Sequence, residues 1–366
     1  MMKGLSKVVI CSVLSLGLTG LAPAFAADEA VQPASGWAQA DFPAEAQTKY
    51  DLVVARDGAG DYSSVQQAID AVPANRTEPF VIFIKKGVYK EKVVVKPSQA
   101  NITLIGEDQD GTVITFDDYA GIERPPGHKL SNKEIPTVYV EANDFRASNL
   151  TFENSAGTIA QALAMYMNGD RAVFQHVRFL GWQDTPRVEG GGKRSYFRDC
   201  YIEGGVDYIY GSGTAVFEQC EVHSKRTGGY ITASSAPQES KYGLVFIKCR
   251  LTGSDQVEAG TVYLGRPWRD YASVTFIDST MSDIIRPVGW HNWNNPAREL
   301  TARYAEYHSK GLGANPEARV SWSRQLTVQE SKDYTAEKVL EGQDGWNPKP
   351  SLNKWGGPVK LGQDKE

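Results

Sequence analysis

The hydrophobic pattern changes period early in the chain and then holds it. Residues 51 to 55 (Asp-Leu-Val-Val-Ala) read as a strand, followed by the turn-like Asp57-Gly58-Ala59-Gly60-Asp61. Val65, Ala68, Ile69 and Val72 then share one helical face, with Ser63 or Ser64 as N-cap and Pro73 as stop. From Phe80 onward almost everything falls into short apolar runs between turn residues, which predicts strands. Only Val328 to Leu340 returns to helical spacing. The expectation is an all-β protein with a short N-terminal capping helix and a C-terminal helical and loop tail.

One motif recurs through the strands: Phe, two residues, a small or thin side chain, one residue, then an aliphatic or Phe. It stands at Phe145-x-x-Ser148-x-Leu150, Phe174-x-x-Val177-x-Phe179 and Phe197-x-x-Cys200-x-Ile202. It returns at Phe217-x-x-Cys220-x-Val222, Phe246-x-x-Cys249-x-Leu251 and Phe276-x-x-Ser279-x-Met281. The leading phenylalanines are 29, 23, 20, 29 and 30 residues apart. Such a period in short strands is the mark of a solenoid, whose turns bury their faces only by stacking on one another. A β-sandwich would not by itself repeat one motif in one register.

Stacked parallel strands hold equivalent positions ~4.8 Å apart. Cys200, Cys220 and Cys249 share a motif position, so they form a column. Both Cys200–Cys220 and Cys220–Cys249 then fall within the ~4.4–6.8 Å Cα separation of a disulfide, and stacking does not choose between them. The same register places the acids. Asp184 lies ten residues after Phe174 and Asp207 ten after Phe197, while Gln161 precedes Asp184 by 23 residues, as Asp184 precedes Asp207. A Gln-Asp-Asp ladder on one face follows, with Gln183 beside Asp184.

Composition adds compartment and partners. The chain has 366 residues, 41% hydrophobic and 23% charged, with 35 glycines and 17 tyrosines, which suits a turn-rich β protein. Lys3 and Lys7, the apolar run Val8 to Leu21 and Ala24-Phe25-Ala26 make residues 1–26 a signal peptide. Residues 27–48, rich in Ala, Pro, Gln and acids, read as an arm, leaving 49–366 as a single domain. Removing Lys3 and Lys7 takes the net charge from -5 to -7. That balance, without a basic stripe, argues against nucleic acid. No later segment reads as membrane-spanning, and the mature chain is expected outside the cell or in a periplasm, as a monomer.

Two neighbouring carboxylates do not both ionise cheaply, so the pair implies shared-proton catalysis, a metal, or pairing with arginine. Calcium would need six to eight oxygens, and few other acids crowd these segments. Acid–base and nucleophilic use fits better, because surroundings can push the two pKa values apart. Leu264-Gly265-Arg266-Pro267-Trp268 supplies a guanidinium to hold one aspartate ionised. Gln161 and Gln183 offer N–H donors for an oxyanion. Trp182, Tyr208, Tyr210 and Trp268 offer flat faces for sugar rings. There is no G-x-S-x-G and no H-E-x-x-H, and the five histidines show no ligand spacing.

These motifs together resemble those of the pectin methylesterases, right-handed parallel β-helix carbohydrate esterases, including bacterial ones. The resemblance runs through Asp57-Gly58, Gly87-Val88-Tyr89-Lys90-Glu91, Gln161-Ala162-Leu163-Ala164-Met165 and Gly181-Trp182-Gln183-Asp184-Thr185. It continues in Val206-Asp207-Tyr208-Ile209-Tyr210-Gly211 and Leu264-Gly265-Arg266-Pro267-Trp268, and ends around Ala305-Glu306-Tyr307 and Trp322. The resemblance implies hydrolysis of pectin methyl esters without a cofactor or metal. It implies Asp207 as nucleophile and Asp184 as general acid, then base. Gln161 and Gln183 become oxyanion stabilisers and Arg266 the residue orienting Asp207. Thr137, Gln161, Tyr210, Arg266 and Trp268 become substrate contacts, and a Cys200–Cys220 disulfide leaves Cys249 unpaired.

Where the family reads Leu-Tyr after its Gln-Asp-Thr, this chain has Pro186-Arg187, and its Asp-Phe-Ile-Phe-Gly is here Asp207-Tyr208-Ile209-Tyr210-Gly211. These departures fall on substrate subsites more than on the reaction. The alternatives are a divergent carbohydrate esterase, a pectin depolymerase of similar fold, or a non-catalytic polysaccharide-binding solenoid. Overall negative charge points to a preference for methylated, neutral stretches.

Overall fold

The computed structural model describes residues 49–355. The expected signal peptide (1–26) and arm (27–48) lie outside the described residues. No described helix is long and apolar enough to cross a membrane.

The strands wind into a parallel β-helix. Seventeen are joined by parallel pairing into one continuous sheet, and seven form a second sheet of strands 93–95, 138–140, 165–167, 186–188, 206–211, 230–234 and 263–265. Phenylalanines lead the stacking. Phe174 pairs with Phe197, Phe197 with Phe217, Phe217 with Phe246 and Phe246 with Phe276. Their ring centroids lie 4.5–4.6 Å apart. Each turn thus covers the aromatic face of the one before, the geometry in which burial and ring stacking add.

The motif copy at Phe145 is out of register by two. Phe174 pairs with Ala147 and Val177 with Leu150, so the true first copy is Ala147-x-x-Leu150-x-Phe152. The backbone explains the correction. Asn149, His176, Asp199, Gln219, Lys248 and Asp278 each take positive φ, between 48° and 57°. Each stands two residues after the leading residue of its copy, where the coil bends. One left-handed residue per coil sets the register.

The capping helix spans Val65–Asp70, with Val65, Ala68 and Ile69 buried and Ser64 as its N-cap. Glu91 holds its start, accepting from Val65 N and Gln66 N at 2.9 Å each. The helical stretch expected over Val328–Leu340 is two short helices, Val328–Ser331 and Ala336–Leu340. Thr327 and Thr335 each act as an N-cap, so a second start interrupts what spacing alone joined.

The cysteine column forms as expected, and the Cys200–Cys220 bridge does not. All three described cysteines are free thiols. Each Sγ instead faces the carbonyl of the phenylalanine one coil back. Cys200 donates to Phe174 O at 3.5 Å, Cys220 to Phe197 O at 3.6 Å and Cys249 to Phe217 O at 3.2 Å. Adjacent thiols aimed along the stack at carbonyls satisfy their weak donors without a covalent bond to one another.

Candidate active site on the seven-stranded sheet

Arg187 pairs with Tyr210, a spacing of 23 residues, and the same spacing brings Asp184 level with Asp207. Both aspartates take positive φ (67° and 49°), a conformation that short polar side chains tolerate best. At Asp207 the strand also bulges. Val206 pairs with Tyr230 and Ile209 with Thr232, so Asp207 and Tyr208 together oppose the single residue Ile231. A bulge re-aims side chains. Here Tyr208 enters the core with its hydroxyl 2.9 Å from Ser224 Oγ, and Asp207 is held at the cleft.

Arg266 grips Asp207 through one edge of its guanidinium, Nε to Oδ1 at 2.9 Å and Nη2 to Oδ2 at 2.6 Å. It comes from a strand that runs very close to its neighbour. A Cβ on the preceding Gly265 would lie 1.9 Å from Thr232 Oγ1, so that position admits only glycine. Tyr230 and Trp293 lie 3.9 Å from the guanidinium carbon, one ring on each contact. Two ring faces and a carboxylate leave the fork one orientation.

Asp184 has no such clamp. Its carboxyl is 7% exposed, and burial together with the charge of Asp207 pushes its pKa up to about 7. Tyr210, Arg187 and Arg266 oppose the shift. Asp207 is also raised by burial, with Arg266 pulling it back. Because Asp207 acts on Asp184 as a charge, Asp207 is the first of the two to ionise. The site therefore holds a carboxylate beside a carboxylic acid at near-neutral pH.

The expected ladder is corrected on its glutamine side. Met165 pairs with Pro186, a spacing of 21, so the coil below is shorter along the strand than the spacing of 23 between the aspartates. Ala162 N donates to Gln183 O at 3.1 Å, which sets Gln161 beside Gln183 instead of under Asp184. Both glutamines are partly exposed at the cleft. Thr137 is fully buried and its hydroxyl donates to Glu153 O at 2.7 Å, the same bond Thr185 makes to Glu203 O at 2.9 Å. Thr137 thus supports a coil and does not offer its side chain to a ligand. Tyr208 is likewise removed from the sugar-facing set by its burial.

Tyr210 and Trp268 do meet at the cleft, edge to face with centroids 5.7 Å apart. Trp182 stands beside Gln183 under the Lys225 ammonium, 4.3 Å from its ring. Sequence reasoning missed Trp293 and Tyr230, and flagged Arg187 only as a departure on the substrate subsites. Trp290 and Trp293 are two tryptophans that the phenylalanine repeat leaves unplaced, a signal of a separate role.

The comparisons agree with this geometry. A family model described as Pectinesterase matches residues 51–343. Pectinesterase 31 of Arabidopsis thaliana is 43% identical over 299 residues, covering 79% of this chain and 91% of that protein. Pectin methylesterase from carrot superposes with a TM-score of 0.76 at 29% identity, over 87% of this chain and 100% of that one. A pectin methylesterase in complex with a hexasaccharide gives 0.71 at 33% identity, over 82% and 99%.

Proposed function

The chain belongs to the pectinesterase family, and we propose that it hydrolyses the methyl esters of pectin to pectate and methanol through Asp207. The single observation that carries the mechanism is the split pair, Asp207 clamped by Arg266 and Asp184 poised near neutrality.

Asp207, as carboxylate, attacks the ester carbonyl of a galacturonate residue. The oxyanion that forms is stabilised by the side-chain N–H groups of Gln161 and Gln183. Asp184 gives its proton to the departing methanol, leaving a mixed anhydride between Asp207 and the sugar carboxyl. The Asp184 carboxylate then takes a proton from water as the water attacks the anhydride. Collapse releases the free galacturonate carboxyl and returns both aspartates to their starting states. Arg266 keeps Asp207 aligned, and the partly exposed Trp268 provides a face against which a sugar ring packs, with the buried Tyr210 backing it edge to face.

We place the enzyme outside the cell or in a periplasm, acting as a monomer. The leader-like residues 1–26 and a polymeric substrate support that reading. The test is methanol release from highly methylated pectin, with Asp207→Asn and Asp184→Asn as comparisons. The first is expected to lose on the order of 10⁴-fold in kcat and the second ~10²–10⁴-fold. Full activity in either variant overturns its role. Loss of polymer length before any methanol appears overturns the reaction.

A further inference from the structure

Arg187 has no part in the chemistry above, yet the fold brings it into the middle of the cleft. Register carries one row of side chains along the seven-stranded sheet: Tyr139 pairs with Tyr166, Tyr166 with Arg187, and Arg187 with Tyr210. The guanidinium carbon lies 4.7 Å from the Tyr166 ring and 5.4 Å from the rings of Tyr210 and Trp268. Its side chain is only 13% exposed. Three ring faces and the Glu189 carboxylate hold this cation in place in the cleft.

Half of its fork is in use. Nε donates to Glu189 Oε2 at 2.7 Å, and the Ser212 hydroxyl donates to the other oxygen of Glu189, Oε1, at 2.8 Å. Among the described residues, no carboxylate or carbonyl accepts from either Nη group. Planar guanidinium edges between aromatic faces suit a planar carboxylate carried on a ring. Arg187 is also close enough to Asp184 for its charge to act there. An anion bound by Arg187 therefore lies next to the reacting ester.

In pectin, the sugar beside a reacting ester carries either a neutral methyl ester or a free carboxylate left by an earlier turnover. We propose that Arg187 is a specificity-determining residue that binds the free carboxylate of the galacturonate neighbouring the reacting ester. This reverses locally the preference for neutral stretches that the net negative charge suggested. It rests on the pectinesterase reading of the same cleft.

The experiment compares wild type with Arg187→Gln and Arg187→Lys, each checked for native thermal unfolding. Methanol release gives kcat/KM on fully methylated and half-methylated oligogalacturonates of equal length, and calorimetry gives Kd for the de-esterified oligomer. In the Gln variant, the ratio of half-methylated to fully methylated kcat/KM is expected to fall on the order of tenfold, and Kd to rise by a similar factor. The Lys variant keeps charge without the fork and should lie between. Equal losses on both substrates with unchanged Kd would show a structural role and overturn the proposal. A wild type that releases no methanol but binds the de-esterified oligomer through Arg187 would sink the reaction and leave the carboxylate site standing.

Discussion

Asp207 and Asp184 stand one coil apart, both in the left-handed region and both buried, yet their arginines serve them differently. Arg266 binds Asp207 through two hydrogen bonds at 2.9 and 2.6 Å, while Arg187 bonds to Glu189 and acts on Asp184 only through space. Burial raises both carboxyls, so burial does not distinguish them. What separates the proposed nucleophile from the proposed proton carrier is whether the nearby cation is in contact or at a distance. Direct charge-assisted bonds offset the desolvation of one acid, and a remote charge offsets only part of the other's.

The strongest way to break this contrast is Arg266→Gln. Removing one partner of a buried pair leaves Asp207 desolvated and unpaired, a change of about 3–5 kcal/mol. Loss of the guanidinium raises the pKa of Asp207, because Arg266 was holding it down. We expect kcat/KM to fall roughly 10³-fold, and the acid limb of the pH–rate profile to move to higher pH. A variant with an unmoved acid limb would show that Arg266 does not set the ionisation of Asp207.

The fold was legible from the sequence because the solenoid repeats one motif, and Asp184 and Asp207 were legible because their coils have equal length. Gln161 was misplaced for the complementary reason: its coil is shorter by two residues along the strand, which residue counting through loops does not detect. The copy at Phe145 failed similarly, since the left-handed residue sets the register and the phenylalanine does not. Thr137 and Tyr208 carried plausible side chains but face inward, a matter of strand parity and of the bulge at Asp207. Trp293 comes from a turn outside the repeat, so no periodicity could bring it to Arg266. The cysteine column followed from stacking, whereas the direction of each thiol did not.

A second test uses stability in place of rate. Asp184 titrates near 7 in the fold, against an ordinary aspartate value near 4 when unfolded. The folded state therefore holds a proton that the unfolded state loses. Wild-type stability is intact below about pH 4 and falls as pH rises towards 7, where burying the charge is no longer avoided. Asp184→Asn removes that cost. It should unfold at a higher temperature than wild type at pH 8, by an amount worth up to a few kcal/mol, and lose the advantage near pH 4. Equal unfolding temperatures at both pH values would show that Asp184 is not strained by ionisation.

The smallest effect, and the one that sharpens the comparison most, is expected at Trp293. Its ring centroid lies 3.9 Å from the Arg266 guanidinium carbon, whose edge bonds to Asp207. A cation–π contact in a partly desolvated site contributes roughly 1–2 kcal/mol. Trp293→Leu keeps an apolar side chain but removes the ring's electron-rich face, and Tyr230, also at 3.9 Å, still covers the cation. Arg266 keeps its charge and its two bonds, so the acid limb should stay in place. Orientation alone is loosened, and kcat should fall by about three- to tenfold with little change in KM. A shifted acid limb would mean that Trp293 tunes the ionisation of Asp207 through Arg266. An unchanged kcat would mean that the bidentate grip needs no support from the aromatic side, and that contact with the carboxylate alone fixes the nucleophile.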